Sequence, residues 1–195
     1  MKIGVLALQG DFARHAAALA RQSAVEAVEI RKPEQLEGID GLIIPGGEST
    51  TLLKLMDLWG FVPALEKFHG GGKPIFGTCA GLILTAREVE NPAQFSLGFI
   101  DVGVERNAYG RQRESFETHG TATLDGRTVP VEMVFIRAHA TDAWGAGVET
   151  LARHDGEAVM ARQGSVLVAT FHPELTDDDT VHAYFVRMVR EARGS

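Results

Sequence analysis

Three short apolar runs in the first half of the chain each stop at a glycine loop: Lys2 to Leu8 before Gly10, Gly41 to Ile44 before Pro45-Gly46-Gly47, and Pro74-Ile75-Phe76 before Gly77-Thr78-Cys79-Ala80-Gly81. The first two loops open onto segments whose apolar residues recur at helical spacing: Phe12, Ala16 and Leu19 after one, Leu52, Leu55, Met56 and Trp59 after the other. Runs this short and apolar suit strands buried on both faces, and strand-to-helix repetition returns each strand parallel to the last. The expected fold class is α/β: three layers, a mostly parallel sheet flanked by helices. Ligands of such a sheet bind at the carboxyl ends of the strands, where the glycine loops fall.

Val25 to Ile30 alternates as a strand does and Pro33 breaks it. Asp11 is expected to cap the first helix, one of Ser49, Thr50 and Thr51 the second, and Asp177 or Asp178 a last helix carrying Val181, Tyr184, Phe185, Met188 and Val189. From Leu97 onward, short β-rich segments turn at Asp125-Gly126, His154-Asp155-Gly156 and Gln163-Gly164, which predicts antiparallel hairpins added to the sheet. With 195 residues and no composition break, residues 1–195 read as one domain. The formal charge of −7 makes nucleic acid and anionic membranes poor partners. The first run is interrupted by Gln9 and Asp11, no stretch approaches the roughly 20 apolar residues of a membrane span, and the chain reads as cytoplasmic.

The single cysteine, Cys79, is either a small buried hydrophobe or a working thiol. Its flanking glycines favour the second: Gly77-x-Cys79-x-Gly81 between strand and helix has the form of a nucleophile elbow, a crowded turn that lifts the central side chain clear of the sheet. A thiol at a helix N-terminus gains from the positive end of the helix dipole, and the Ala80 N–H then faces a developing oxyanion. A cysteine nucleophile needs a base, and His172 ends a buried run with Glu174 two residues on. Pro173 should hold His172 extended, so that Glu174 projects to the same side and orients the imidazole. Alone, His-Pro-Glu would be an ordinary turn after a strand; with the elbow it completes a Cys-His-Glu triad. Gly47 offers a second oxyanion donor. No lysine follows the glycines in phosphate-loop register, and the other six histidines lack metal-ligand spacing, so neither nucleotide nor metal is expected.

Taken together, the elbow, the His-Pro-Glu end and the glycine loop resemble the class I, triad-type glutamine amidotransferases, a flavodoxin-like family that removes ammonia from the glutamine side chain. Within it, Val5 to Gly10, Pro45 to Thr51, Gly77 to Ile83, Arg106-Asn107-Ala108-Tyr109-Gly110-Arg111-Gln112 and Phe171 to Leu175 are similar to the glutaminase subunits of pyridoxal 5′-phosphate synthases, along essentially the whole chain. The resemblance implies a glutamine pocket lined by Gly47, Glu48, Ser49, Arg106, Ile136 and Arg137. It implies contact with a separate synthase subunit, in a hetero-oligomer, near Gln9, Gly10 and Asp11, and no cofactor. A guanidinium at Arg106 suits an α-carboxylate, and Glu48 or a carbonyl suits an α-ammonium. The chain departs from the family pattern at His139, where proline usually follows the Ile-Arg-Ala segment. Two other readings compete: a cysteine peptidase or deglycase with a related elbow, against which the Phe171 to Glu174 and Arg106 segments argue, and a non-catalytic interaction subunit, against which the complete set of triad residue types argues.

Overall fold

The computed structural model describes residues 1–106, 115–136 and 140–194. Strands β1 (Lys2–Leu6), β2 (Glu26–Ile30), β3 (Gly41–Ile44), β4 (Ile75–Thr78) and β12 (Val166–Ala169) pair in parallel in the order β2-β1-β3-β4-β12, the doubly wound arrangement expected of the apolar runs. Their side chains alternate between two cores. Leu6, Leu42, Ile44, Ile75, Val166 and Val168 face a layer holding Leu52, Met56, Phe61, Leu65, Leu82 and Ile83 from α2 (Ser49–Leu58), α3 (Phe61–Gly70) and α4 (Ala80–Thr85). Ile3, Val5, Ile43, Phe76 and Leu167 face Leu19 of α1 (Phe12–Ala20) and Val181, Tyr184, Phe185 and Val189 of α5 (Thr180–Gly194). Burial on both faces is why β1, β3, β4 and β12 carry no polar alternation, whereas β2, at the edge, exposes Glu26 and Glu29.

The second half extends the same sheet with antiparallel strands β11 (Glu157–Gln163), β10 (Glu149–His154), β7 (Phe116–Leu124) and β8 (Arg127–Phe135), turning where the glycine dipeptides predict. One part differs from expectation. β5 (Ala86–Glu90), β6 (Ile100–Glu105) and β9 (Ala140–Trp144) form a separate three-stranded sheet whose Val89, Val102 and Val104 pack into the α2–α4 core. β5 follows α4 without an intervening turn, which hides it from a reading based on turn residues.

Helix ends correct further expectations. Asp11 occupies the N-cap position of α1 but its side chain makes no capping hydrogen bond. The α2 cap is Glu48, not a hydroxyl residue: its carboxylate accepts from the Thr50 and Thr51 N–H groups and from Thr51 Oγ1. Trp59 lies on the exposed side, 58% accessible, rather than with Leu52 and Met56. At α5 the N-cap position is Asp179, whose carbonyl accepts from Ala183 N–H; the expected Asp178 lies one residue earlier, accepting from Thr180 N–H at 2.9 Å and, through its other oxygen, from Glu132 N–H. No described helix is long and apolar enough to cross a membrane.

Candidate active site

The carboxyl ends of β1, β3, β4 and β12 converge on Cys79. This residue sits at φ 48°, ψ −100°, between β4 and α4, a conformation that a side-chain-bearing residue adopts only under constraint. The constraint is visible in its neighbours. A Cβ on Gly81 would lie 2.0 Å from the Ile44 carbonyl oxygen, and one on Gly77 would lie 2.7 Å from the Gly81 carbonyl, so the elbow closes only because both flanks are glycine. Cys79 N–H donates to Ala169 O of β12 at 2.9 Å, tying the elbow to the strand that delivers the base.

His172 and Glu174 are 2% and 5% exposed. Their pairing is as expected, with His172 Nδ1 to Glu174 Oε1 at 2.8 Å, but the backbone route is not. Residues Pro173–Leu175 form a 3₁₀ turn with His172 at its N-cap position, so the two side chains meet across a turn and not along an extended strand. The antiparallel extension helps to place the base, since His172 N–H donates to Val134 O of β8 at 2.8 Å. Burial pushes the imidazolium of His172 down, yet hydrogen bonds and charge from Cys79 and Glu174 outweigh it and lift the pKa to about 10. A charged imidazole of this kind is the partner that a thiolate needs in the reactive form of a cysteine nucleophile. Gly46 presses on both members: a Cβ there would lie 2.4 Å from His172 Cε1 and 3.4 Å from the Cys79 Cβ.

Around this pair stands the rim. Gly47 is at φ +151°, a Cβ on it would meet Gln9 Oε1 at 2.4 Å, and the same oxygen accepts from Glu48 N–H at 3.0 Å. Gln9 therefore braces the loop that carries the expected oxyanion donor. Glu48, with its two cap hydrogen bonds and that from Thr51 Oγ1, is held down to about 2; the Thr51 hydroxyl is the largest cause. Arg106 places Nη2 at 3.4 Å from Thr50 Oγ1 and 3.8 Å from Glu48 Oε1. Ser49 is buried and donates to Gln94 Oε1 at 3.2 Å, a partner sequence reasoning missed. Ile136 is exposed just past the end of β8, whereas Arg137, His139 and the Asn107 to Gln112 stretch lie outside the described residues. Asp11 faces inward, bringing a carboxylate oxygen, with one ligand atom each from His172 and Glu174, into a group spanning at most 4.8 Å. The His172–Glu174 hydrogen bond already engages two of those groups.

The sequence and the fold have counterparts among known proteins. A model of the SNO glutamine amidotransferase family matches residues 5–191. The chain belongs to the SNO glutamine amidotransferase family. Two relatives, each named pyridoxal 5′-phosphate synthase subunit PdxT, come from Koribacter versatilis (56% identical, covering 97% of this chain and 96% of that protein) and Niallia circulans (52%, covering 99% and 100%). A solved structure described as a glutamine amidotransferase superposes with a TM-score of 0.87 at 47% identity, over 96% of this chain and 98% of that one.

Behind that centre is a group the sequence did not reveal. His15 of α1 and His182 of α5 are both fully buried, with His15 Nδ1 3.0 Å from His182 Nε2. His15 Nε2 lies 3.1 Å from Thr78 Oγ1 and 3.3 Å from Glu174 Oε2. Burial, with the nearby His182 and His172, holds His15 well below the usual histidine range. Burial chiefly brings His182 down to about 4.

Proposed function

We propose that this chain, as one unit over residues 1–195, hydrolyses L-glutamine to L-glutamate and ammonia. It passes the ammonia to a synthase subunit that makes pyridoxal 5′-phosphate, in keeping with the name its relatives share. The observation that carries the reading is a strained cysteine paired with a histidine whose second nitrogen is held by a buried carboxylate.

In this scheme the Cys79 thiolate attacks the side-chain amide carbon and the carbonyl π electrons move to oxygen. The Ala80 and Gly47 N–H groups stabilise that oxyanion. His172 Nε2 gives its proton to the departing nitrogen, ammonia leaves, and a γ-glutamyl thioester remains on Sγ. His172 then takes a proton from water, hydroxide adds to the thioester carbon, and collapse returns the thiolate and the imidazolium. Glu174 keeps the imidazole oriented throughout. These steps need no cofactor. Arg106 receives the substrate α-carboxylate, with Glu48, Ser49, Ile136 and Arg137 completing the pocket. The reaction belongs to the cytoplasm, where glutamine is abundant.

The synthase subunit docks near Gln9, Gly10 and Asp11, in a hetero-oligomer. A Cβ on Gly10 would lie 1.8 Å from the Gly46 carbonyl oxygen, and Gln9 braces Gly47, so force applied to this loop reaches the 46–47 peptide directly. Rotation of that peptide exchanges a carbonyl for an N–H at the oxyanion position, and one such donor is worth about 100- to 1,000-fold in kcat. Free chain should therefore hydrolyse glutamine slowly, and saturating synthase subunit should raise kcat by a comparable factor. Ammonia release measured with and without the synthase subunit tests this. Equal rates remove the switch, and absence of glutamine-dependent ammonia in both removes the function.

A further inference from the structure

Glu174 has two carboxylate oxygens and the triad uses one. The other, Oε2, faces His15 Nε2 at 3.3 Å, with side chains fully buried on both sides. That contact falls short of hydrogen-bond geometry and leaves Oε2 without a hydrogen-bond partner among the described residues, while His15 Nε2 pairs with Thr78 Oγ1 at 3.1 Å. A carboxylate only accepts, so the tautomer with the hydrogen on Nε2 is the one that suits the anion beside it. Its Nδ1 is then an acceptor, so His182 carries its hydrogen on Nε2 and donates across the 3.0 Å contact. His182 Nδ1 is left with a bare lone pair, in keeping with its being buried and without a hydrogen-bond partner. Both rings must be neutral for this chain of donors to exist, and burial keeps them so, with His182 at about 4.

We infer that His15 and His182 are positioning residues for the glutaminase reaction: His182 fixes the tautomer of His15, and His15 sets its N–H edge against the free oxygen of Glu174, which favours the carboxylate orientation that faces His172. The inference rests on the triad assignment above and assigns a function to two histidines that lie 167 positions apart in the sequence. A carboxylate hydrogen-bonded at one oxygen in a dry site pivots about that contact; a positive N–H edge beside the other oxygen opposes the pivot. The thiolate–imidazolium pair is the beneficiary, since an oriented anion stabilises the imidazolium. The groups facing His15 are Thr78 from β4, Glu174 and His172 from the segment after β12, and His182 from α5. Asp178, Asp179 and Arg21 act on His182 from outside.

The test uses the full chain saturated with its synthase subunit, in three variants. His15→Phe removes the donor, and His15→Asn carries an amide that stops at the Nδ1 level. His15→Gln extends an amide N–H to the Nε2 level. Phe and Asn variants should lose about tenfold to 100-fold in kcat with the glutamine KM within about twofold, because taking a polar partner from beside a buried charge has that worth and substrate does not touch it. The pH midpoint for iodoacetamide alkylation of Cys79 should move upward in both, reporting a weaker ion pair, and return toward wild type in His15→Gln. Wild-type kcat and an unmoved alkylation midpoint in His15→Phe would overturn the inference, as would a Gln variant as impaired as the Asn variant. If His15→Phe fails to fold, the Asn and Gln pair decides alone. Cys79→Ala, run alongside, separates this outcome from failure of the triad itself: a triad error leaves that variant active.

Discussion

The floor and the rim of the site are built on opposite plans. Beneath Cys79, His172, Glu174, Thr78, His15 and His182 are all buried, and contacts of 2.8 to 3.3 Å link them across α1, β4, α5 and the segment after β12. Above it, Gln9, Gly46, Gly47 and Glu48 belong to loops, with a Glu48 side chain 46% exposed and glycines at the points of closest approach. Preorganised catalysis needs its charges fixed before substrate arrives, which the floor supplies by crossing several elements. Binding and activation need a surface that adjusts, which glycine loops supply at low steric cost. The difference teaches that mutations below the thiol should act on kcat and those above it on KM or on activation by a partner.

The largest effects should come from the floor. Cys79→Ala and His172→Asn should abolish glutamine turnover, whereas Glu174→Gln should leave a residual rate, lower by about 100- to 10,000-fold, because orienting a base matters less than supplying it. Steady-state ammonia release at saturating glutamine checks the order, and a Glu174 variant as dead as the His172 variant would break it. Next comes the seam between the two plans. Gly46→Ala places a methyl group 2.4 Å from His172 Cε1, so the imidazole must move and kcat should fall about 100-fold while the fold persists. A kcat unchanged in that variant would mean the loop yields and the floor does not depend on it.

At the rim, Arg106→Ala should raise the glutamine KM about tenfold with little change in kcat, because a grip on the α-carboxylate serves ground and transition states alike. A large fall in kcat at constant KM would move Arg106 from the rim to the chemistry. The smallest effect concerns stability. His15 and His182 are held below their unfolded value and bind protons late, so the unfolded chain gains protons first as pH falls from about 6.5 toward 4, and stability declines there. His172, raised to about 10, has the opposite sign: its contribution is complete below about 6.5 and lost as pH rises through 10. Glu48, held at about 2, loses its contribution only as pH falls below about 4.5. Thermal melts across pH should therefore drop by several degrees between about 6.5 and 4.5, at roughly 2–4 °C per kcal/mol for a chain of this size. A flat Tm across that window would count against His15 and His182 being neutral in the folded chain.

What the sequence disclosed was local. Apolar runs, glycine loops and the Cys79 elbow are contiguous signals, and the His172–Glu174 pair is separated by one residue, so these residues could be picked out before any coordinates. The mostly parallel character of the sheet followed from the same runs, not its strand order. What escaped was assembled by the fold. His15 sits among Ala and Leu in α1 as an ordinary helix residue, and only the packing of α1 and α5 against one face of the sheet brings it to His182 and Glu174. Glu48 escaped as a cap because hydroxyl and Asp or Asn side chains are the usual candidates, and its longer carboxylate reaches the same N–H groups. The 3₁₀ turn at Pro173 escaped because a spacing of two residues suits both a strand and a tight turn.

The central claim is that glutamine acylates Cys79. The chain, saturated with its synthase subunit, should be acid-quenched during turnover and its intact mass and proteolytic peptides measured. The account predicts a γ-glutamyl adduct confined to the peptide holding Cys79, absent without glutamine and absent in Cys79→Ala. Steady ammonia release in that variant, or an adduct mapped to another residue, would contradict it.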